Sequence, residues 1–392
     1  MQLRQIPAHN AARLFGYRKL RRTNSDLTRR TLLIGSGVAG LAALAAAGFL
    51  GYAWRRLQRT AYNLDSAMPS SSPEIVALVG NMPYRRFGAT GLKVSEVSFG
   101  AWAIGGKAYG AVDRRDVLRA LARAEELGCN LVDTAMIYGD SELVLGEFLR
   151  GRRSRWIVAS KYSYQPAGMV ATLEQQLRRL GTDVIDFYQL HWPPPDHDVY
   201  EQLYRLKKAG KVRYVGMSVY SARDITQLID HEMLDGVQLP FSLLDPDPFL
   251  LRAARLRRSG LAVLIRSSLK EGFLTGKFRR DATFPDPNDQ RHGWSAAQIA
   301  RTVDDVERLR FLEADAGSMV RAAVAYPLSF PEVSTVLLGT KTAAQADSNF
   351  GQIPGVRLST ASLQRIVAVQ DELDAGGRRG LRALARKLLG RG

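Results

Sequence analysis

Eight short, apolar, β-rich runs between residues 94 and 339, separated by amphipathic helical stretches, constrain the fold of this chain more than any other feature. The strand candidates are "VSEVSFG" (94–100), "LVDTA" (131–135), "WIVASK" (156–161), "VIDFYQLH" (184–191), "VRYVGMS" (212–218), "DGVQLPF" (235–241), "LAVLIRS" (261–267) and "STVLLG" (334–339). Between them lie patterns such as "RRDVLRALARAEELG" and "MVATLEQQLRRLG", each closed by the glycine that commonly ends a helix. Strands alternating with helices in this way predict a parallel sheet closed into a (β/α)8 TIM barrel. Nothing repeats at the sequence level, so a solenoid is excluded.

Such a barrel carries its chemistry at the C-terminal ends of its strands. Asp133 ends the second strand with Tyr138 just beyond it, Lys161 ends the third, His191 the fourth and Ser218 the fifth, and Gln238 lies near the end of the sixth. Singly, each has an ordinary explanation, such as a buried Lys–Asp pair or a core histidine bonded to a carbonyl. Gathered on one rim, they suit proton transfer to a carbonyl. An ammonium within about 4 to 6 Å would stabilise a phenolate and lower the pKa of a tyrosine. Lys161 is expected to supply that field and Asp133 to hold the ammonium. His191 would orient the substrate oxygen, leaving Tyr138 as the general acid of reduction. None of these side chains can deliver a hydride, so a nicotinamide cofactor is implied.

The blocks "LVDTAMIYGDSE", "VASKYS", "YQLHWPPPD", "VGMSVYS" and "EGFLTGKF" resemble, in order and spacing, the signature blocks of the aldo-keto reductase superfamily, over roughly residues 82–352. The resemblance implies that Asp133, Tyr138, Lys161 and His191 form a catalytic tetrad. It implies that Ser218 and Gln238 hold the nicotinamide carboxamide, although Val219 stands where Asn or Arg is frequent. Arg266 occupies the place where many members stack an aromatic ring on the nicotinamide, and a guanidinium plane can stack too. Ser267, Leu269 and Lys277 match the pyrophosphate loop. Gly339, Lys341, Gln345 and Asn349 match the adenosine end. There, Lys341 suits a 2′-phosphate, while Gln345 stands where some members place Arg and Ser348 where most place an acid. NADP(H) is therefore expected, with NAD(H) open. Trp102 and Trp192 are expected to wall a pocket for an aldehyde or ketone. The stretch from Ser268 to Trp294 reads as an irregular loop folded over the cofactor. Potassium-channel β subunits share the fold and its nucleotide site, so a regulatory subunit of a membrane protein is the alternative.

Upstream of the barrel, "RRTLLIGSGVAGLAALAAAG" (29–48) contains Gly35, Gly37 and Gly40 in G-x-G-x-x-G spacing. A dinucleotide-binding unit would need an acid about 20 residues on, and none appears before Asp65. The uncharged run from Thr31 to Ala53 instead has the length of a membrane-crossing helix. Arg29-Arg30 before it resembles a bacterial twin-arginine export signal. The basic residues preceding the run outnumber Arg55, Arg56 and Arg59 after it, which favours a cytoplasmic N-terminus. The expected location is the bacterial inner membrane or, after export, the periplasm, with the cytoplasmic face of the membrane as the alternative.

The formal net charge of +17 invites a nucleic-acid reading. That charge lies almost wholly in residues 1–60 and 376–392, leaving the body near neutral, so no nucleic-acid partner is expected. Leu381, Leu384 and Leu388 among arginines suit an interfacial helix at a membrane surface, or equally a solvated end helix. Cys129, the only cysteine, reads as a core residue, and no metal site is expected. The expected organisation is a basic region (1–30), a hydrophobic signal or transmembrane helix (31–53), a linker (54–83), the barrel (84–352) and C-terminal helices with a basic tail (353–392).

Overall fold

A computed structural model describes residues 68–375, apart from 107, 111, 195–197, 222–223 and 226–232. It opens with a three-stranded antiparallel sheet: β1 (Ala77–Val79), β2 (Met82–Arg86) and β3 (Lys93–Ser95). Eight parallel strands then close into a barrel: β4 (Val97–Gly100), β5 (Leu131–Asp133), β6 (Ile157–Tyr162), β7 (Ile185–Leu190), β8 (Val212–Ser218), β9 (Gly236–Pro240), β10 (Ala262–Arg266) and β11 (Thr335–Gly339). Each strand pairs with its successor, and β11 returns to β4.

The helices α1 (Arg114–Glu126), α2 (Ser141–Phe148), α3 (Gly168–Leu180), α4 (Asp198–Lys208), α5 (Ala253–Ser259), α6 (Ala296–Glu307) and α7 (Met319–Leu328) connect the strands, and α8 (Thr360–Ala375) follows the barrel. Local chemistry sets their ends. Asp113 caps α1 by accepting from the backbone N–H groups of Arg115 and Asp116, and Ser295 and Ser318 cap α6 and α7. Gly181 closes α3 in the left-handed conformation.

Two boundaries differ from the sequence expectation. The expected linker, running to residue 83, contains β1 and the start of β2, joined by Gly80 and Asn81 in a two-residue hairpin turn. Gly80 takes the positive φ that such a turn requires. The expected strand 94–100 is split at Glu96. Its buried carboxylate pairs with Arg85 (3.0 Å) and Arg357 (3.0 Å), so the chain turns there from the small sheet into the barrel. The expected membrane helix 31–53 and the tail 376–392 lie outside the described residues. Among the described residues, no helix is long and apolar enough to cross a membrane.

Aromatic packing fills the lower end of the barrel. Phe87, in the β2–β3 connection, meets Phe187 of β7 edge to face at 5.1 Å. Phe187 leaves no room on its neighbours: a Cβ on Gly216 would come within 2.3 Å of its ring. At the opposite end, where the polar strand termini converge, a cavity opens.

Candidate active site

Asp133 is the hub of the upper barrel. Its Oδ2 pairs with Lys161 Nζ at 2.6 Å, and its Oδ1 accepts from the side-chain amides of Gln189 (3.0 Å) and Gln238 (2.9 Å). Strand alternation brings these groups inward, with Lys161 and Gln189 directly paired across β6 and β7. Lys161, fully buried, also donates to the Thr134 carbonyl at 2.8 Å. Burial pulls its pKa down, and the Asp133 carboxylate works against that shift. The pair fastens β5, β6, β7 and β9 together at one point.

Beside this knot, Tyr138 Oη lies 3.5 Å from His191 Nε2. The other nitrogen of His191, Nδ1, shares a 2.7 Å hydrogen bond with Ser163 Oγ. Burial, with the charges of Lys161 and Arg266, pushes the His191 pKa down to about 2, so the ring is neutral at working pH. A neutral imidazole has one donor and one acceptor nitrogen. If the Ser163 hydroxyl donates to Nδ1, Nε2 carries the proton toward Tyr138 and the substrate oxygen.

The electrostatics of Tyr138 differ from the expectation. Burial raises its pKa well above the ordinary value, Asp133 raises it further, and the opposing cation is Arg266. Lys161 Nζ lies 4.9 Å from the Tyr138 ring centroid, but its charge is answered at contact by Asp133.

Above these groups opens a cavity of about 480 Å³. Asp133, Tyr138, Gln238 and Trp102 line one part of it; Arg266, Ser267, Leu269 and Lys277 line another; Gly339, Lys341, Gln345 and Asn349 line a third. Lys161, His191, Ser218 and Trp192 stand behind or beside the lining. Trp102, 46% exposed, packs against Tyr138 at 5.2 Å, and Trp192 against His191 at 5.0 Å. Tyr164, at a left-handed φ of 51°, supports Trp192 by donating to its carbonyl at 2.8 Å.

The loop after β10 carries unusual strain. Ser267, Lys270 and Glu271 all adopt left-handed φ, a conformation that costs non-glycine residues energy and collects at functional sites. Two of its buried atoms, Ser268 Oγ and Glu271 Oε2, have no hydrogen-bond partner, and both residues face the cavity. Such atoms suit a ligand rich in hydroxyls and phosphate oxygens, as a nicotinamide dinucleotide is. Arg266 donates to the Val219 carbonyl at 3.0 Å and lies 4.3 Å above the Tyr220 ring. Further along, Lys341 Nζ donates to the Tyr109 carbonyl at 3.1 Å, and Asn349 to Thr340 Oγ1 at 3.0 Å. The irregular stretch 268–294 crosses to the β4–α1 connection through a Gln290–Tyr109 side-chain bond and a 3.2 Å bond from Gln290 N to the Ala108 carbonyl.

Sequence reading missed Gln189, Ser163 and Glu271. The first two carry a faint signal: each lies two residues from a tetrad member, in "YQLH" and "SKYS", hence on the same face of its strand.

The description of the aldo/keto reductase family matches residues 96–371. The chain is 28% identical to the aldo-keto reductase YhdN of Bacillus subtilis over 305 residues, which cover 71% of this chain and 91% of that one. It is 27% identical over 307 residues to an Escherichia coli protein named NADH-specific methylglyoxal reductase, covering 70% and 94% of the two chains. Among solved structures, the holo form of an aldo-keto reductase from Bacillus halodurans superposes with a TM-score of 0.62 at 25% identity, covering 74% of this chain and 96% of that one. The match of the family description over most of the barrel, together with these likenesses, shows that the chain belongs to the aldo/keto reductase family.

Proposed function

We propose that this reductase acts on apolar or aromatic aldehydes and ketones, prefers NADP(H), and works at a bacterial membrane. Its activity is NAD(P)H-dependent carbonyl reduction. The observation that carries the mechanism is the Tyr138–His191 pair set against the Asp133–Lys161 knot at one cavity. A bound nicotinamide supplies the hydride. The protein's own groups do the rest: neutral His191 directs Nε2 at the substrate oxygen, and Tyr138 hands its phenolic proton to that oxygen. The knot holds both strand ends in register without leaving a net charge. Trp102, exposed in the cavity beside Tyr138, offers an apolar aromatic wall to the substrate, which supports the substrate class.

Lys341, with no carboxylate partner among the described residues, supports NADP(H), although one relative is named for NADH. The uncharged run 31–53 after Arg29-Arg30 supports a twin-arginine export signal or anchor, and the basic residues of 376–392 add affinity for an anionic surface. The regulatory-subunit reading is the weaker one.

The test is oxidation of NADPH and of NADH by the full chain with a panel of aryl and alkyl aldehydes and ketones. Higher kcat/KM with NADPH and with aryl substrates supports the reading; the reverse order, or an absence of turnover, overturns it. Fractionation of expressing cells tests location: recovery with membranes or periplasm supports the proposal, and recovery in the cytosol overturns it.

A further inference from the structure

The guanidinium of Arg266 lines the same cavity as Tyr138 and Gln238. Its recorded partners are a backbone carbonyl and the Tyr220 ring, and among the described residues no carboxylate lies within ion-pair distance of it. The other two charges beside Tyr138 are paired with each other, Lys161 and Asp133 being 2.6 Å apart, although Asp133 is still felt at Tyr138 and Lys161 at His191. Arg266 is thus the unanswered charge at the reacting end of the cavity, and its field reaches both Tyr138 and His191. Glu271 also feels Arg266, but it is not among the groups acting on either of those residues.

The reaction changes charge at two places: Tyr138, once it has given its proton, is a phenolate until water returns one, and the nicotinamide ring becomes cationic and stays so until the cofactor leaves. The carbonyl carbon gains a hydride and its oxygen gains the proton of Tyr138, while the nicotinamide ring that gave the hydride goes from neutral to +1. A hydride donor would have to lie next to the carbon whose oxygen Tyr138 protonates, in the cavity that Arg266 also lines. A cation facing a ring that becomes cationic opposes the oxidised form and leaves the neutral form untouched.

We propose that Arg266 sets the redox preference of this site, making the protein bind the reduced cofactor more tightly than the oxidised one. The inference rests on the proposed cofactor-dependent reduction. It makes the oxidised cofactor easy to release, at the cost of making the bound reduced cofactor a somewhat weaker hydride donor than the free one. A tenfold difference in the two dissociation constants raises the potential of the bound two-electron couple by about 30 mV.

The test is equilibrium titration of the full chain with NADPH and with NADP+, followed by quenching of tryptophan fluorescence. The same titrations are made on Arg266→Gln, which removes the charge, and Arg266→Lys, which keeps it. The wild type is expected to bind NADPH about tenfold more tightly. In Arg266→Gln the ratio should collapse at least about threefold, mainly through tighter NADP+ binding, while Arg266→Lys keeps most of it. Equal affinities in the wild type, or an unchanged ratio in Arg266→Gln, overturn the role of Arg266 while leaving the reductase reading in place. Failure of the wild type to bind either form overturns that reading, and this inference with it.

Discussion

On one flank of the cavity, the ends of β5, β6, β7 and β9 commit nearly all their polar atoms to one another; on the other, the loop after β10 holds buried atoms that nothing among the described residues satisfies. Asp133 takes bonds from Lys161, Gln189 and Gln238, and among the knot's side chains Gln189 Oε1 is left without a partner. Across the cavity, Ser267, Lys270 and Glu271 hold strained backbone angles, and Ser268 Oγ and Glu271 Oε2 are orphaned. Apart from Gln189 Oε1, the first flank is bonded within itself, as preorganised chemistry requires. The second is finished by what it binds. Changes on the first flank should therefore harm chemistry and stability, and changes on the second should harm binding alone.

The sharpest break would come from Tyr138→Phe. Its kcat is expected to fall by about 10²–10⁴ with cofactor dissociation constants within about twofold of the wild type, since the lost hydroxyl serves only the proton transfer. An equal loss in binding, read by fluorescence titration, would erase the division between the flanks. Next is Lys161→Met, which leaves Asp133 buried without its cation and should cost about 3–5 kcal/mol in urea unfolding. A loss under about 1 kcal/mol would mean that the knot is not the fastening described.

A smaller effect follows from His191, whose folded pKa is held near 2, below the ordinary value of 6.5. Between those values the unfolded chain binds a proton that the folded chain refuses. The stability from the neutral ring is thus full above about pH 6.5 and falls with pH by up to about 1.4 kcal/mol per unit. His191→Asn should flatten that part of the pH dependence of urea unfolding; an unchanged slope would place the acid sensitivity elsewhere. Smallest is Ser268→Ala, expected to weaken NADPH binding by about 0.5–1.5 kcal/mol while leaving the thermal midpoint level or slightly raised. A drop in the midpoint would show that this hydroxyl serves the fold.

The barrel strands were legible because their short apolar runs lie between clear helical stretches, and the gathering of Asp133, Tyr138, Lys161 and His191 because polar residues at strand ends are out of place there. Other features lie in contacts that no local pattern encodes. The β1–β2 hairpin hides behind Ser70, Ser71, Ser72 and Pro73, which read as linker, although Gly80-Asn81 between apolar runs is itself a hairpin signal. The break at Glu96 depends on Arg357, 261 residues away. The cation that opposes Asp133 at Tyr138 is Arg266 rather than Lys161, because only the structure shows which cation has a carboxylate at contact and which does not.

The ring of Phe187, with glycines at 216 and 236 giving way to it, closes the barrel at its lower end. A side chain added at either glycine would have to push backbone aside, so the strands at that end have no room to grow or to slide past one another.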